Sequence, residues 1–139
     1  MNIKIITLDK VTDKFTKDAV AEYSKRLSKY CKLIFKEYKN ETQLLKELTD
    51  KSFVIHINSE GKLVSSEELA DKFSELALTG KSDIVFIITS SHLSEEILNK
   101  IDFNMAISRM DINFSVLLVI LYEQIYRVYR INCNEPYHK

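Results

Sequence analysis

The sequence predicts an α/β fold: a single domain over residues 1–139, built on a mainly parallel sheet with helices on both faces. Three observations predict it. Short β-branched apolar runs alternate along the chain with longer segments of helical periodicity, the order that gives parallel strands joined by crossovers. The runs Ile3–Leu8 and Ile84–Ile88 are nearly unbroken, as strands buried on both sides are. A length of 139 residues fits one ordinary domain with a real core and leaves no room for two.

Ile3–Leu8 is the first strand, ended by Asp9 and Lys10. From Asp13 to Tyr30, the residues Phe15, Ala19, Tyr23, Leu27 and Tyr30 recur at helical spacing with charged residues between them, an amphipathic helix. Leu33–Tyr38 alternates apolar and charged residues in its second half, which places it near a sheet edge. Asn40–Asp50 is a brief charged helical segment. Phe53–Ile57 is a third strand, and Asn58–Lys62 reads as a loop whose sharp turn Gly61 permits. Ser65-Ser66-Glu67-Glu68 is a capping box that opens a helix with Leu69, Phe73, Leu76 and Ala77 on its buried stripe, ending near Gly80. Ile84–Ile88 is the fourth strand. Ser94 caps a short helix through Ile101, and Met105–Ser108 makes a last strand.

The final helix, Val116 to about Ile131, is apolar around most of its circumference. One face serves the domain's own core, so a second apolar side predicts a partner subunit and hence a homodimer. Parallel sheets hold ligands beyond the carboxyl ends of their strands. The loops at Asn58–Lys62, Thr89–Leu93 and Arg109–Phe114 are therefore the candidate site.

Twenty Lys and Arg balance twenty Asp and Glu, so an RNA partner must be held by local patches or by shape and not by a global field. No segment approaches the roughly 18 apolar residues of a membrane span, and a cytoplasmic protein is expected. Cys31 and Cys133 have no ligand-spaced neighbours and read as free thiols. With two glycines and one proline, against about ten and seven on average usage, each carries positional information. The familiar glycine-rich nucleotide, zinc-hydrolase and serine-hydrolase motifs are missing.

Among the histidines, His56 in a strand reads as packed, His92 lies in a loop, and His138 stands one residue from the end, where a frayed terminus is the default. Lys25, Arg26, Lys29 and Lys32 read as a solvated helix face. Arg127, Arg130 and Lys139 interleave with Tyr126, Tyr129 and Tyr137, a pairing that holds phosphates and stacks bases, although tyrosines at helical spacing are more often core.

The C-terminal run Tyr122-Glu123-Gln124-Ile125-Tyr126-Arg127-Val128-Tyr129-Arg130-Ile131, followed by Asn134-Glu135-Pro136-Tyr137-His138-Lys139, resembles the terminal signature of the RlmH branch of the SPOUT methyltransferases. Ala21-Glu22-Tyr23 with Lys25-Arg26-Leu27, Gly61-Lys62 with Ser65-Ser66-Glu67, and Ser82-Asp83 extend the resemblance in order over nearly the whole chain. It implies a SPOUT-type trefoil-knotted homodimer that binds S-adenosylmethionine in the knot loops and methylates N3 of a pseudouridine in large-subunit ribosomal RNA, without a metal. By position, Ile57 and Thr89 match cofactor contacts at the ends of the third and fourth strands, and Ile107-Ser108-Arg109-Met110-Asp111-Ile112 matches the loop around the adenosyl group. Tyr137 and His138 match a tail that reaches the partner's active site. Arg127, Tyr137 and Lys139 are the implied substrate contacts, and His138 is the implied base for the N3 proton, a role that suits an imidazole.

Where family members carry Gly-Gly and a further glycine after the fourth strand, this chain has Thr89-Ser90-Ser91-His92-Leu93. Glycine there permits positive φ and close approach to the cofactor, whereas β-branched Thr89 adds bulk. The usual Pro-His pair after the knot loop is Asn113-Phe114, and an arginine one turn later is Leu118. Two readings stay open: a methyltransferase whose backbone-mediated pocket tolerates the changes, and a knotted paralogue that binds RNA or ribosomes without methyl transfer.

Overall fold

The computed structural model describes all residues, Met1 to Lys139. The strands are β1 (Asn2–Thr7), β2 (Lys32–Glu37), β3 (Ser52–Leu63), β4 (Asp83–Ile87) and β5 (Phe103–Ala106). They form one sheet in the order β2-β1-β4-β3-β5, and every pair is parallel. β2, expected near an edge, is an edge strand. Parallel neighbours need crossovers, which here carry α1 (Lys14–Leu27), α2 (Glu41–Leu45), α3 (Ser66–Leu78) and α4 (Glu95–Leu98); α5 (Phe114–Asn132) closes the chain.

The alternating side chains of the strands build two unequal cores. On one face Ile3, Ile5, Ile55, Ile84 and Phe86 meet the apolar stripes of α1, α3 and α5, with Leu27, Phe73, Leu121, Tyr122 and Ile125 at the contact. On the other, Ile6, Val54, Val85 and Ile87 are covered by Leu44, Leu48 and Ile97 from the short α2 and α4 region, with Leu45, Leu93 and Ile101 partly buried around them. α5 packs against both α1 and α3, which accounts for much of its all-round apolar character. Tyr126 and Tyr129 belong to this packing: Tyr129 stacks on Tyr30 and meets Phe73 edge-on.

The predicted capping box is present, with Ser65 accepting from the Glu68 amide and Glu68 accepting from that of Ser65. The helix ends on Gly80 at φ 85°, where Lys81 N–H reaches the Leu76 carbonyl at 2.9 Å and Gly80 N–H that of Ala77, a left-handed C-terminal cap. Ser94, in contrast, makes no capping bond to its own helix. Its amide and hydroxyl bind the Glu41 carboxylate instead, tying α4 to the start of α2.

The largest departure from the sequence reading is in β3. The predicted loop Asn58–Lys62 lies inside a twelve-residue strand. Ile57 and Lys62 both register with Met105, so the four residues between them bulge out and pairing resumes as if they were absent. Gly61 does not make a positive-φ turn. A Cβ there would sit 2.7 Å from the backbone carbonyl of Asn104 and 2.9 Å from the Met105 nitrogen; the glycine lets β3 and β5 touch. β5 itself runs from Phe103 to Ala106, two residues ahead of the expected span, which leaves Ile107 and Ser108 in the loop beyond it.

Candidate active site

The order β4-β3-β5 sets three strand ends side by side, and a cleft of about 440 Å³ opens beyond them. The β3 bulge supplies Ile57, Asn58 and Glu60; the segment after β4 supplies Thr89 to His92; the segment after β5 supplies Ile107, Ser108, Met110, Asp111 and Ile112, with Leu117 of α5 behind them. This is where open parallel sheets hold ligands.

Thus Ile57, Thr89, Ile107, Ser108, Met110, Asp111 and Ile112 come together as the sequence reading placed them. Arg109 does not line the cleft. Its guanidinium turns back to donate to the carbonyls of Ser59 at 2.5 Å and Gly61 at 2.6 Å, bracing the β3 bulge against the third wall. The bulge also fastens itself through the Glu60 amide to Asn58 Oδ1 at 3.0 Å, and the third wall through the Met110 amide to Ser108 Oγ at 3.0 Å.

The wall after β4 follows a backbone path that does not require glycine. No residue from Thr89 to Leu93 has positive φ; among non-glycine residues only Asn134 does, at 55°. The path is therefore one that Thr and Ser adopt without strain. It is held from the end of β1: Asp9 accepts from Thr89 Oγ1 at 3.1 Å, the Ser90 amide at 2.6 Å and Ser90 Oγ at 2.5 Å. Both hydroxyls are thereby spent on Asp9.

His56 also lines the cleft, a contribution the sequence reading missed by treating it as packing alone. It is 9% exposed, and its Nδ1 lies 3.1 Å from Asn104 Oδ1. Burial pushes its pKa below the usual histidine value, more than the Asn104 bond raises it. The only available sequence signal was its place beside Ile57, at a parallel strand's carboxyl end.

The cleft lining holds the carboxylates of Glu60 and Asp111 and no Lys or Arg. Such a lining disfavours a phosphate-bearing cofactor and suits a ligand with a positive centre beside an apolar, aromatic body. S-adenosylmethionine, with a sulfonium and an adenosyl group, fits that description. Ile57, Ile107, Ile112 and Leu117 supply the apolar surface.

The tail forms a separate cluster outside the cleft. Arg127 donates to Glu123 Oε1 at 2.6 Å and to His138 Nδ1 at 3.1 Å, and it stacks on the Tyr137 ring 4.8 Å from its centroid. Tyr137 donates to Glu123 at 3.1 Å. A guanidinium only donates, so His138 accepts at Nδ1 and carries its proton on Nε2, which meets Glu67 of α3. Glu67 is held below the usual carboxylate range, first by its own backbone N–H and then by His138. His138 is thus an engaged residue, not a frayed end, and Lys139 beyond it is exposed.

Residues 1–138 match a family model described as "Predicted SPOUT methyltransferase". The chain is 42% identical over 160 aligned residues to the "Ribosomal RNA large subunit methyltransferase H" of Clostridium botulinum (strain 657 / Type Ba4), with 100% of both chains covered. The protein of that name from Clostridium novyi (strain NT) is 40% identical over 159, again with full coverage of both. In structure it resembles the A. aeolicus TrmH/SpoU tRNA modifying enzyme, with a TM-score of 0.55 at 12% identity over 96% of this chain and 77% of that one. It also resembles the SpoU methyltransferase AviRb from Streptomyces viridochromogenes, solved with AdoMet, with a TM-score of 0.50 at 8% identity over 94% and 58%. At such identities the structural likeness speaks for the fold; the full-length sequence match adds the lineage, and the chain belongs to the SPOUT methyltransferase family.

Proposed function

We propose that the protein is a cytoplasmic S-adenosylmethionine-dependent methyltransferase acting on N3 of a pseudouridine in large-subunit ribosomal RNA, as a knotted homodimer. The observation that carries this reading is the cleft at the ends of β3, β4 and β5. It sets an apolar strip of Ile57, Ile107, Ile112 and Leu117 among polar residues, with the carboxylates of Glu60 and Asp111 and no Lys or Arg, and its β4 wall needs no glycine.

When bound, S-adenosylmethionine supplies a methyl group made electrophilic by its positive sulfur. Ile57, Ile107, Ile112 and Leu117 exclude water around the adenosyl group, Glu60 and Asp111 favour the positive charge, and the Thr89–Ser91 backbone forms the opposite wall. The N3–H proton needs an acceptor. His138 serves from the partner subunit, because its own tail lies outside its own cleft. To act as base it must expose the Nδ1 lone pair, which Arg127 covers in the resting chain. An RNA phosphate competes for Arg127, and drawing that guanidinium away frees Nδ1. Tyr137 and Lys139 complete the contact with substrate.

Exposed apolar side chains support the homodimer. Met110 is 75% exposed, Phe15 59% and Val116 43%. Ser115 donates to Asp13 at 2.8 Å, which joins the starts of α1 and α5 and so brings Phe15 and Val116 to one end of the molecule. Pairing two such ends buries them.

Calorimetric titration with S-adenosylmethionine and S-adenosylhomocysteine, followed by methyl transfer to ribosomes lacking the modification, tests the proposal. Saturable binding of both and transfer to one nucleotide are expected. His138→Ala should bind cofactor normally and transfer poorly. Failure to bind either ligand, with or without ribosomes, overturns the assignment.

A further inference from the structure

Asp9 lies outside the cleft, yet it determines the course of one cleft wall. It stands just after β1, and β1 pairs directly with β4, so the two strand ends emerge together. Thr89 and Ser90 follow β4 and approach this carboxylate with three donors: two hydroxyls and the Ser90 amide. Asp9 is itself oriented by Thr7, whose buried hydroxyl accepts from the Asp9 amide at 2.9 Å and sits 3.4 Å from Asp9 Oδ2. A second turn builds on the first, since the Ser91 amide donates to Thr89 Oγ1 at 3.2 Å. The chain of bonds thus runs from the end of the interior strand β1 through Asp9 to the three consecutive residues Thr89, Ser90 and Ser91, all of which line the cleft.

We infer that Asp9 is a positioning residue for cofactor binding: by drawing the Thr89 and Ser90 hydroxyls and the Ser90 amide to one carboxylate, it keeps side chains off the cofactor's path along the β4 wall. The inference rests on the cleft being the S-adenosylmethionine site. A threonine and a serine free to rotate would present their bulk to the ligand in some rotamers. Tied to Asp9, each has one position, and the wall the ligand meets is preformed. Charge strengthens the anchor, because hydrogen bonds to an ionised acceptor are roughly twice as strong as neutral ones. The geometry therefore does with a carboxylate what small residues do by lacking side chains.

Asp9→Ala and Asp9→Asn test this, with two readouts. Calorimetry with S-adenosylhomocysteine on the full-length protein should show Kd raised about 10- to 100-fold in D9A. It should return to within about 5-fold of wild type in D9N, which keeps an acceptor for the Ser90 amide and a group that both hydroxyls can meet. A residue that only stabilised the fold would lower the melting temperature and leave Kd unchanged below it. The second readout needs no ligand: amide hydrogen exchange at Ser90 should be protected in wild type and fast in D9A. Equal Kd for wild type and D9A, with both folded, overturns the inference while leaving the methyltransferase reading intact. An unprotected Ser90 amide in wild type overturns it too. A wild-type protein that shows the protected amide but binds no cofactor overturns the methyltransferase reading and this inference with it.

Discussion

Gly61→Ala offers the sharpest test of how the sheet shapes the cleft. The added Cβ would meet the Asn104 carbonyl carbon and oxygen at 2.7 Å and the Met105 nitrogen at 2.9 Å. These atoms are backbone, so no rotamer change relieves the contact; β3 and β5 must part by roughly 0.7–1 Å to restore ordinary van der Waals spacing. Overpacking of that kind costs about 1–3 kcal/mol. The displaced Gly61 carbonyl also loses its alignment with Arg109, which adds about 1 kcal/mol for a charge-assisted bond partly open to water. The sum is about 2–4 kcal/mol. For a chain of this length that corresponds to a fall in melting temperature of roughly 7–14 °C.

Gly80→Ala is the natural control. Its φ is 85°, but a Cβ there meets nothing within 4 Å. The cost is the left-handed backbone alone, about 1–2 kcal/mol, partly offset by a stiffer unfolded chain. Urea denaturation should rank the variants wild type, G80A, G61A in falling stability. Calorimetry should show cofactor affinity lost in G61A, whose bulge forms a cleft wall, and kept in G80A. If G61A melts within about a degree of wild type, or loses less than G80A, the close approach of β3 and β5 is not what the glycine serves.

Further outcomes are expected elsewhere. Glu47 accepts from Lys4 at 2.6 Å, Lys36 at 3.1 Å and Tyr38 at 2.5 Å; burial alone would raise its carboxyl, but these donors outweigh it and hold the pKa at about 2. Because the folded value lies below the ordinary 4.5, this contribution is full above pH 4.5 and is lost as pH falls toward 2. Both lysines are more than a third exposed, so screening leaves about 1–2 kcal/mol, and the stability gap between wild type and Glu47→Gln should shrink over that window in acid titrations. Thr16 buries a hydroxyl with no partner; Thr16→Val should leave stability equal or raise it by about 1 kcal/mol, and a loss beyond that would show an overlooked bond. Val116→Glu should turn a homodimer into a monomer in sedimentation, and an unchanged mass would remove that face from the interface.

What could be read in the sequence depended on how local the cause was. The helix Ser66–Leu78 was legible because its cap, stripe and terminal glycine lie within sixteen residues, Ser65 to Gly80. The β3 bulge was not: Asn58-Ser59-Glu60-Gly61 has the composition of a turn, and only the backbone of β5, some forty residues on, shows that pairing resumes at Lys62. Arg109 was assigned to the cleft by position, but its guanidinium satisfies carbonyls that a bulge leaves unpaired, a demand invisible before the bulge is known. Asp9 looked like a strand terminator because its partners stand eighty residues away. The tail's residues were legible as a group. Their arrangement was not, since Glu67 is brought to His138 only by the packing of α3 on α5.

The position of α5 in the core has a consequence for biogenesis. The helix that fills the space between α1 and α3 follows all five strands in chain order, so a nascent chain cannot seal its main core until α5 has left the ribosome. A prematurely terminated product would expose the underside of the sheet and be open to proteolysis. Closure of the main core thus waits on α5, and a chain that stops short of that helix cannot keep this face of the sheet covered.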